Sequence, residues 1–369
     1  MTALKQFTPN WYTTTMGTGI LALMLDQLPI AIPGLLQVAR GLWFFNIALF
    51  GVLVAASIGQ WILYRKESIA MFTHPVQSMF YGAVPMGFAT IVNGFTVFAP
   101  AFIGGGAYHV AYVLWWFDAL LAVVSGWLIP HLMFTQQEHS LEKATAVWLL
   151  PIVPAEVTAA SGGQLAPHLA GHAAHLIVGA SAILWSFSVP LALAILALVF
   201  LRLALHRIPP REMGVSGWLT LGPLATGALG SVVLGNAAAT AFAGTSLAPI
   251  APIAHALGIL AGTVLWGYGT WWWISSTCVT IHHLAHSLPF NLGWWGFTFP
   301  LGVYSAATIA LARATNATIL TDIGTGLILL LAALWIIVAA RTAIGLVRGE
   351  LFQLPKAKTL VAGMEKAAA

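Results

Sequence analysis

Long apolar runs alternate along this chain with short segments that collect nearly all of its charge. A helix needs about 20 apolar residues to cross a hydrocarbon core. Runs of that order lie near residues 10–29, 40–64, 76–99, 108–133, 146–162, 170–203, 215–240, 250–280, 292–312 and 322–345. The pattern predicts an all-α integral membrane protein with ten transmembrane helices, a single transmembrane domain over 1–369. A short N-terminal segment, 1–9, and a tail from about 346 to 369 flank the spans. Met1 to Phe7 is too short and polar to be a cleavable signal, so the first run is expected to stay as a helix.

The basic residues test the count, because cytoplasmic segments carry the Lys and Arg excess. With a cytoplasmic N-terminus, Lys5, Arg65, Lys66, Lys143, Arg202, Arg207, Arg211, Arg341, Arg348, Lys356, Lys358 and Lys366 all fall on the inner side. Only Arg40 and Arg313 fall outside. Adding or dropping one span would scramble this bias, so both termini are expected in the cytoplasm of a cell membrane, taken here as a bacterial inner membrane.

Composition agrees: 59% of the 369 residues are apolar and 7% are charged, with a mean hydropathy of +0.90, which excludes a water-soluble globule. The net charge of +4 follows from topology rather than from a nucleic-acid-binding face, and no nucleic-acid partner is expected. Cys278 is the only cysteine, so neither a disulfide framework nor a thiolate metal site is available.

Helix breakers concentrate in the odd spans: Gly17 and Gly19 in the first, Pro85 in the third, Pro151 and Pro154 in the fifth, Pro223 in the seventh and Pro300 in the ninth. Pro130 and Pro190, in even spans, are exceptions. A mid-span proline frees a carbonyl that lipid cannot satisfy, so such helices belong where neighbours or a water-filled cavity take up the loss. The odd helices are therefore expected to face inward, as kinked walls of a central path.

Asp118 and Glu156 are the acidic residues placed well inside spans, while Asp26 and Asp322 lie near span ends. An intramembrane carboxyl is a functional candidate. Glu156 is a candidate for proton coupling or for lining a cavity, and Asp118 for pairing with another buried polar group. His168, His172 and His175, and separately His282, His283 and His286, have spacings that loosely resemble histidine boxes. The two clusters fall at opposite ends of their spans, so one metal centre cannot use both, and no metal or cofactor is expected. Protonated histidines at the inner mouth, His74, His206 and the second cluster, are instead candidates for concentrating anions. Gly17-Thr18-Gly19 lies within a span and is not a phosphate loop; no HExxH or GxSxG motif points to an enzyme.

Pro9-Asn10-Trp11-Tyr12 followed by Met16-Gly17-Thr18-Gly19-Ile20 resembles the opening of the tellurite-resistance/dicarboxylate transporter family. Pro85-Met86-Gly87, Trp148-Leu149-Leu150-Pro151, Gly222-Pro223 and Trp294-Trp295-Gly296-Phe297-Thr298-Phe299-Pro300 continue the resemblance along the chain. The family includes plant slow-type anion channels, yeast malate permease and fungal sulfite exporters. The resemblance implies five helical hairpins in quasi-five-fold order around a central pore, assembled as a homotrimer, with Phe299 matching the channels' pore-plugging phenylalanine.

The expected function is therefore transport of small anions, C4-dicarboxylates such as malate or inorganic anions, past a gate at Phe299 and along a path shaped by Gly17, Pro85, Pro154, Pro223 and Pro300. Sulfite export and proton-coupled dicarboxylate transport through Glu156 remain as alternatives, tellurite resistance would be a phenotype, and a membrane-bound histidine-metal oxidoreductase is the reading from a different class.

Overall fold

A computed structural model describes residues 2–352, so Lys356, Lys358, Lys366 and most of the expected tail lie outside the described residues. The longer helices are α1 (Thr13–Gln27), α2 (Leu35–Leu63), α3 (Ala83–Val97), α4 (Gly106–Thr135), α5 (Pro154–Leu165), α6 (Gly171–His206), α7 (Leu221–Phe242), α8 (Ala251–Ala285), α9 (Thr298–Thr315) and α10 (Thr318–Val347). No strand occurs among the described residues. The chain is an all-helical integral membrane protein, as its hydropathy predicts.

Among the described residues, eight helical stretches are long and apolar enough to cross a membrane. The expected first and fifth spans are not among them, because their α-helical parts, α1 and α5, have 15 and 12 residues. Burial separates the two kinds of helix. The apolar windows of α3, α7 and α9 are 61, 78 and 94% buried, against 17–39% for α2, α4, α6, α8 and α10. Even-numbered helices carry bare apolar side chains such as Ile62, Phe134 and Ile183, the surface that lipid tails cover.

The inner helices touch in chain order: α1 packs on α3, α3 on α5, α5 on α7, α7 on α9, and α9 returns to α1. Each even helix leans on the odd helix before it. The last, α10, also reaches α1, where the Trp335 indole N–H donates to Thr18 Oγ1 at 3.2 Å.

Each inner helix is approached through a 3₁₀ turn: Pro9–Tyr12, Gln77–Gly82, Ala146–Leu149, Ser216–Thr220 and Leu292–Phe297. This corrects the expected role of the prolines. Pro85, Pro223 and Pro300 are the third residues of α3, α7 and α9, and Pro154 is the first residue of α5. In a first turn the missing N–H has no intrahelical partner to lose, so these prolines mark the change from 3₁₀ to α rather than mid-helix kinks. The prolines inside long α-helices are Pro130 of α4 and Pro190 of α6, both outer. Gly17 is likewise a packing residue: a methyl group there would lie 2.3 Å from Thr298 Oγ1 and 2.6 Å from the Trp295 ring.

Hydroxyl side chains satisfy carbonyls at these transitions. Thr13, Thr14 and Thr15 donate to the carbonyls of Asn10, Trp11 and Tyr12 at 2.6–2.7 Å, Thr220 to Gly217 at 2.7 Å, and Thr298 to Trp295 at 2.7 Å. Without water such acceptors need internal partners.

Asp118 sits wholly buried between α4 and α5, accepting a hydrogen bond from Thr158 Oγ1 at 2.7 Å, while the Trp115 indole donates to the Thr158 carbonyl at 2.8 Å. It is a structural pairing of the kind the sequence suggested. Replacing Thr158 with Val keeps the shape and strips Asp118 of that bond, so Thr158→Val is expected to destabilise by ~1–3 kcal/mol, read as a lower Tm in detergent. Thr158→Ser should restore most of the loss; an unchanged Tm in Thr158→Val would show that the pair contributes nothing.

Candidate functional site

Two cavities open toward the axis that the inner helices surround. One, of about 500 Å³, lies on the face that carries the N-terminus and is lined from every 3₁₀ approach, by Asn10, Phe80, Val147, Leu219 and Leu292 among others. The other, of about 540 Å³, lies at the far ends of the same helices, lined by Gln27, Tyr108, Gln164 and Arg313 among others. Among the described residues one lines both: Phe299, 3% exposed.

The positions follow helical periodicity. On α9, Phe299, Val303, Ala306, Ala310 and Arg313 recur at steps of three or four and form one face of the helix. On α5 the same face is Val157, Ala160 and Gln164, on α1 Ile20, Leu23 and Gln27, and on α7 Thr226, Leu229 and Val233. The residue directly before the third helical position is Thr14 in α1, Val84 in α3, Gly222 in α7 and Phe299 in α9. Only α9 places an aromatic ring there.

Glu156 is off this surface. It precedes Val157 by one residue, which turns it about 100° around the helix, and it lines neither cavity. It is wholly buried on the side of α6 and α7: a methyl on Gly227 would lie 3.5 Å from its Oε2. Neither carboxyl oxygen has a hydrogen-bond partner among the described residues. Of the other expected path residues, Pro300 lines the N-terminal cavity, whereas Gly17, Pro85, Pro154 and Pro223 line neither.

The histidines are not where an anion-concentrating mouth would need them. His74, His206, His282, His283 and His286 are absent from the lining of the N-terminal cavity, whose charged members are Glu212 and Glu350. His74 Nδ1 accepts the backbone N–H groups of Val76 and Gln77, each at 3.1 Å, and burial pushes its imidazole below the ordinary value. It serves as a neutral turn cap. Glu212 is partly compensated by Arg211, 3.5 Å away.

The histidine-box reading also finds no support in the geometry. His168 stacks on Tyr108 with ring centroids 4.3 Å apart, and His282 lies 4.7 Å from His286 between ring centroids. No group of three His, Cys, Asp or Glu side chains assembles with metal-holding geometry among the described residues.

Two cavities of a membrane-embedded bundle, each lined by apolar and polar side chains, share Phe299 among the described residues. Over residues 6–343 the sequence matches the SLAC1 family, described as voltage-dependent anion channel. The chain belongs to that family. Membership of the SLAC1 family confirms the resemblance carried by the motifs and gives the functional class, transmembrane transport of small anions. Among its relatives is a protein of Arthroderma otae named sulfite efflux pump, 38% identical over 355 residues, 95% of this chain and 94% of the relative. A protein of Methanocaldococcus jannaschii described as an uncharacterized transporter is 29% identical over 351 residues, 95% of this chain and 96% of the relative. The malic acid transport protein of Schizosaccharomyces pombe is 21% identical over 162 residues, 44% of this chain and 37% of the relative. These organisms are fungi and an archaeon, so the expected bacterial inner membrane widens to a membrane of unspecified origin around this multi-pass protein.

The sequence did not single out the polar side chains of the far cavity, Gln27, Asn93 and Gln164. Gln27 and Asn93 are isolated amides in otherwise apolar odd spans, and Gln164 follows the expected fifth span by two residues.

Proposed function

We propose that this chain exports sulfite through a single transmembrane domain of five helical hairpins in quasi-five-fold order, with the conduit closed by Phe299. The observation that carries the reading is that Phe299 alone borders both cavities. Sulfite is preferred over malate because the likeness to sulfite efflux pumps runs along nearly the whole chain, whereas the likeness to the malic acid transport protein spans 44% of it. In this reading α1 and α5 cross the membrane together with their 3₁₀ approaches, and the N-terminal face is cytoplasmic. The protomers assemble as a trimer of parallel conduits, which the mass of the purified protein in detergent tests.

Glu156 has no place in this path, since it lines neither cavity. The test is efflux from proteoliposomes loaded with sulfite, malate or chloride, with and without an imposed pH gradient. Sulfite is expected to leave faster than malate, and Glu156→Gln to respond to the gradient as the parent protein does. Sulfite efflux no faster than from empty vesicles would reject the proposal. Loss of a gradient response in Glu156→Gln would instead make the protein a proton-coupled carrier with its proton site behind the wall.

A further inference from the structure

The far cavity is chemically unlike its counterpart. Among the described residues, the N-terminal cavity has two carboxylates and no Lys or Arg in its lining, whereas the far cavity has Arg313 and no carboxylate. Arg313 is one of only two basic residues that the charge pattern left on this side, and it lies on the same face of α9 as Phe299. No carboxylate pairs with it within 4.0 Å among the described residues. Asp26 is the acidic group in electrostatic reach, shared with Arg40, and it does not line the cavity.

Three side-chain amides face the same space from three other segments of the wall: Gln27 on α1, Asn93 on α3 and Gln164 on α5. None of them is hydrogen-bonded to another group among the described residues. Polar groups set in an apolar wall without partners are donors available to a solute. His168, also in the lining, is stacked against Tyr108, and burial lowers its imidazole pKa, which leaves the guanidinium as the cation of this cavity.

We propose that Arg313 and the amides of Gln27, Asn93 and Gln164 form a holding site for a small oxyanion, one that prefers sulfite or sulfate to chloride. A guanidinium presents parallel N–H groups matched to two oxygens of one anion, and a halide accepts no such fork. The amide N–H groups in the same lining are further donors for the remaining oxygens. The site deepens the transport reading by naming what selects the anion, and rests on it only for the route the anion then takes.

The experiment is equilibrium binding of sulfite, sulfate and chloride to the purified full-length protein at low ionic strength, alongside sulfite flux in proteoliposomes. Arg313→Gln is expected to weaken sulfite and sulfate binding about tenfold, the loss of a charge-assisted hydrogen bond, with little effect on chloride. Arg313→Lys should keep part of the affinity and lose part of the preference over chloride, because charge remains and the fork does not. Gln164→Leu should weaken both oxyanions to a smaller degree. In flux, Arg313→Gln should raise the sulfite concentration for half-maximal rate and approach the parent rate at saturation. Arg313 is exposed and makes no hydrogen bond among the described residues, so the variant should fold, which an unchanged Tm verifies. Equal sulfite affinity in Arg313→Gln and the parent, or a parent that binds chloride as well as sulfite, overturns the holding site. Arg313-dependent binding without sulfite flux leaves the site standing and overturns the transport reading.

Discussion

Phe299→Ala is expected to raise anion flux about tenfold or more, equivalent to removing ~1.4 kcal/mol or more from the barrier. Among the described residues the ring is the one side chain bordering both cavities, and it is 3% exposed in a wall whose apolar members include Ile20, Val157, Leu229 and Val303 on the far side and Met16, Leu150 and Leu219 on the other. An apolar ring at a constriction excludes ions by filling space and by keeping water out, and Ala does neither. Pro300 fixes the helix start beneath it, so truncation at position 299 should leave the backbone in place. The measurement is sulfite and chloride efflux normalised to inserted protein. Phe299→Tyr, nearly the same size, should stay close to the parent, which separates occlusion from any general loosening of α9. Flux unchanged in Phe299→Ala would remove the ring from the mechanism.

The second large effect is structural. A methyl group on Gly82 would sit 1.9 Å from the carbonyl oxygen of Leu150 and 2.9 Å from Pro151 Cα, both backbone atoms. No side-chain rotation relieves that contact, so the 3₁₀ turn before α3 must move away from the turn before α5. Overpacking of this kind costs ~1–3 kcal/mol, occasionally more. Gly82→Ala should accordingly lower Tm and the yield of monodisperse protein in detergent. Gly222→Ala, at an inner-helix start where an added methyl meets nothing within 4 Å, should be tolerated. Equal stability of the two variants would show that the close approach at Gly82 is not required.

The hairpin rhythm was legible in the sequence because burial in a membrane protein follows hydropathy and breakers together. Apart from Pro130 and Pro190, the runs with few breakers became the exposed helices, and the runs rich in breakers became the buried ones. The form of the interruption was not legible. A proline three residues into a helix and one in its middle look alike within an apolar run, and the difference rests on where the 3₁₀ turn ends, which hydroxyl bonds such as that of Thr298 help to fix. The same turns take residues from α1 and α5, leaving them short of the expected spans.

At the site, Phe299 was found through its motif and Glu156 through its charge, and only the first lines the cavities. Charge says how costly a residue is to bury; it does not say which way it faces. On α5 the facing direction is set by Val157, Ala160 and Gln164, a stripe whose composition is unremarkable until the neighbouring helices are in place. The mouth histidines failed for a related reason. His74 is by sequence a candidate for concentrating anions when protonated, yet its ring nitrogen is an acceptor for two backbone N–H groups.

The wall closes in chain order, and its last inner helix, α9, is the one that returns to the first. During synthesis the earlier inner helices can therefore form only an open trough. In the proposed conduit the helix that closes the trough is also the one that carries Phe299, so enclosure of the path and arrival of its stopper fall on one element.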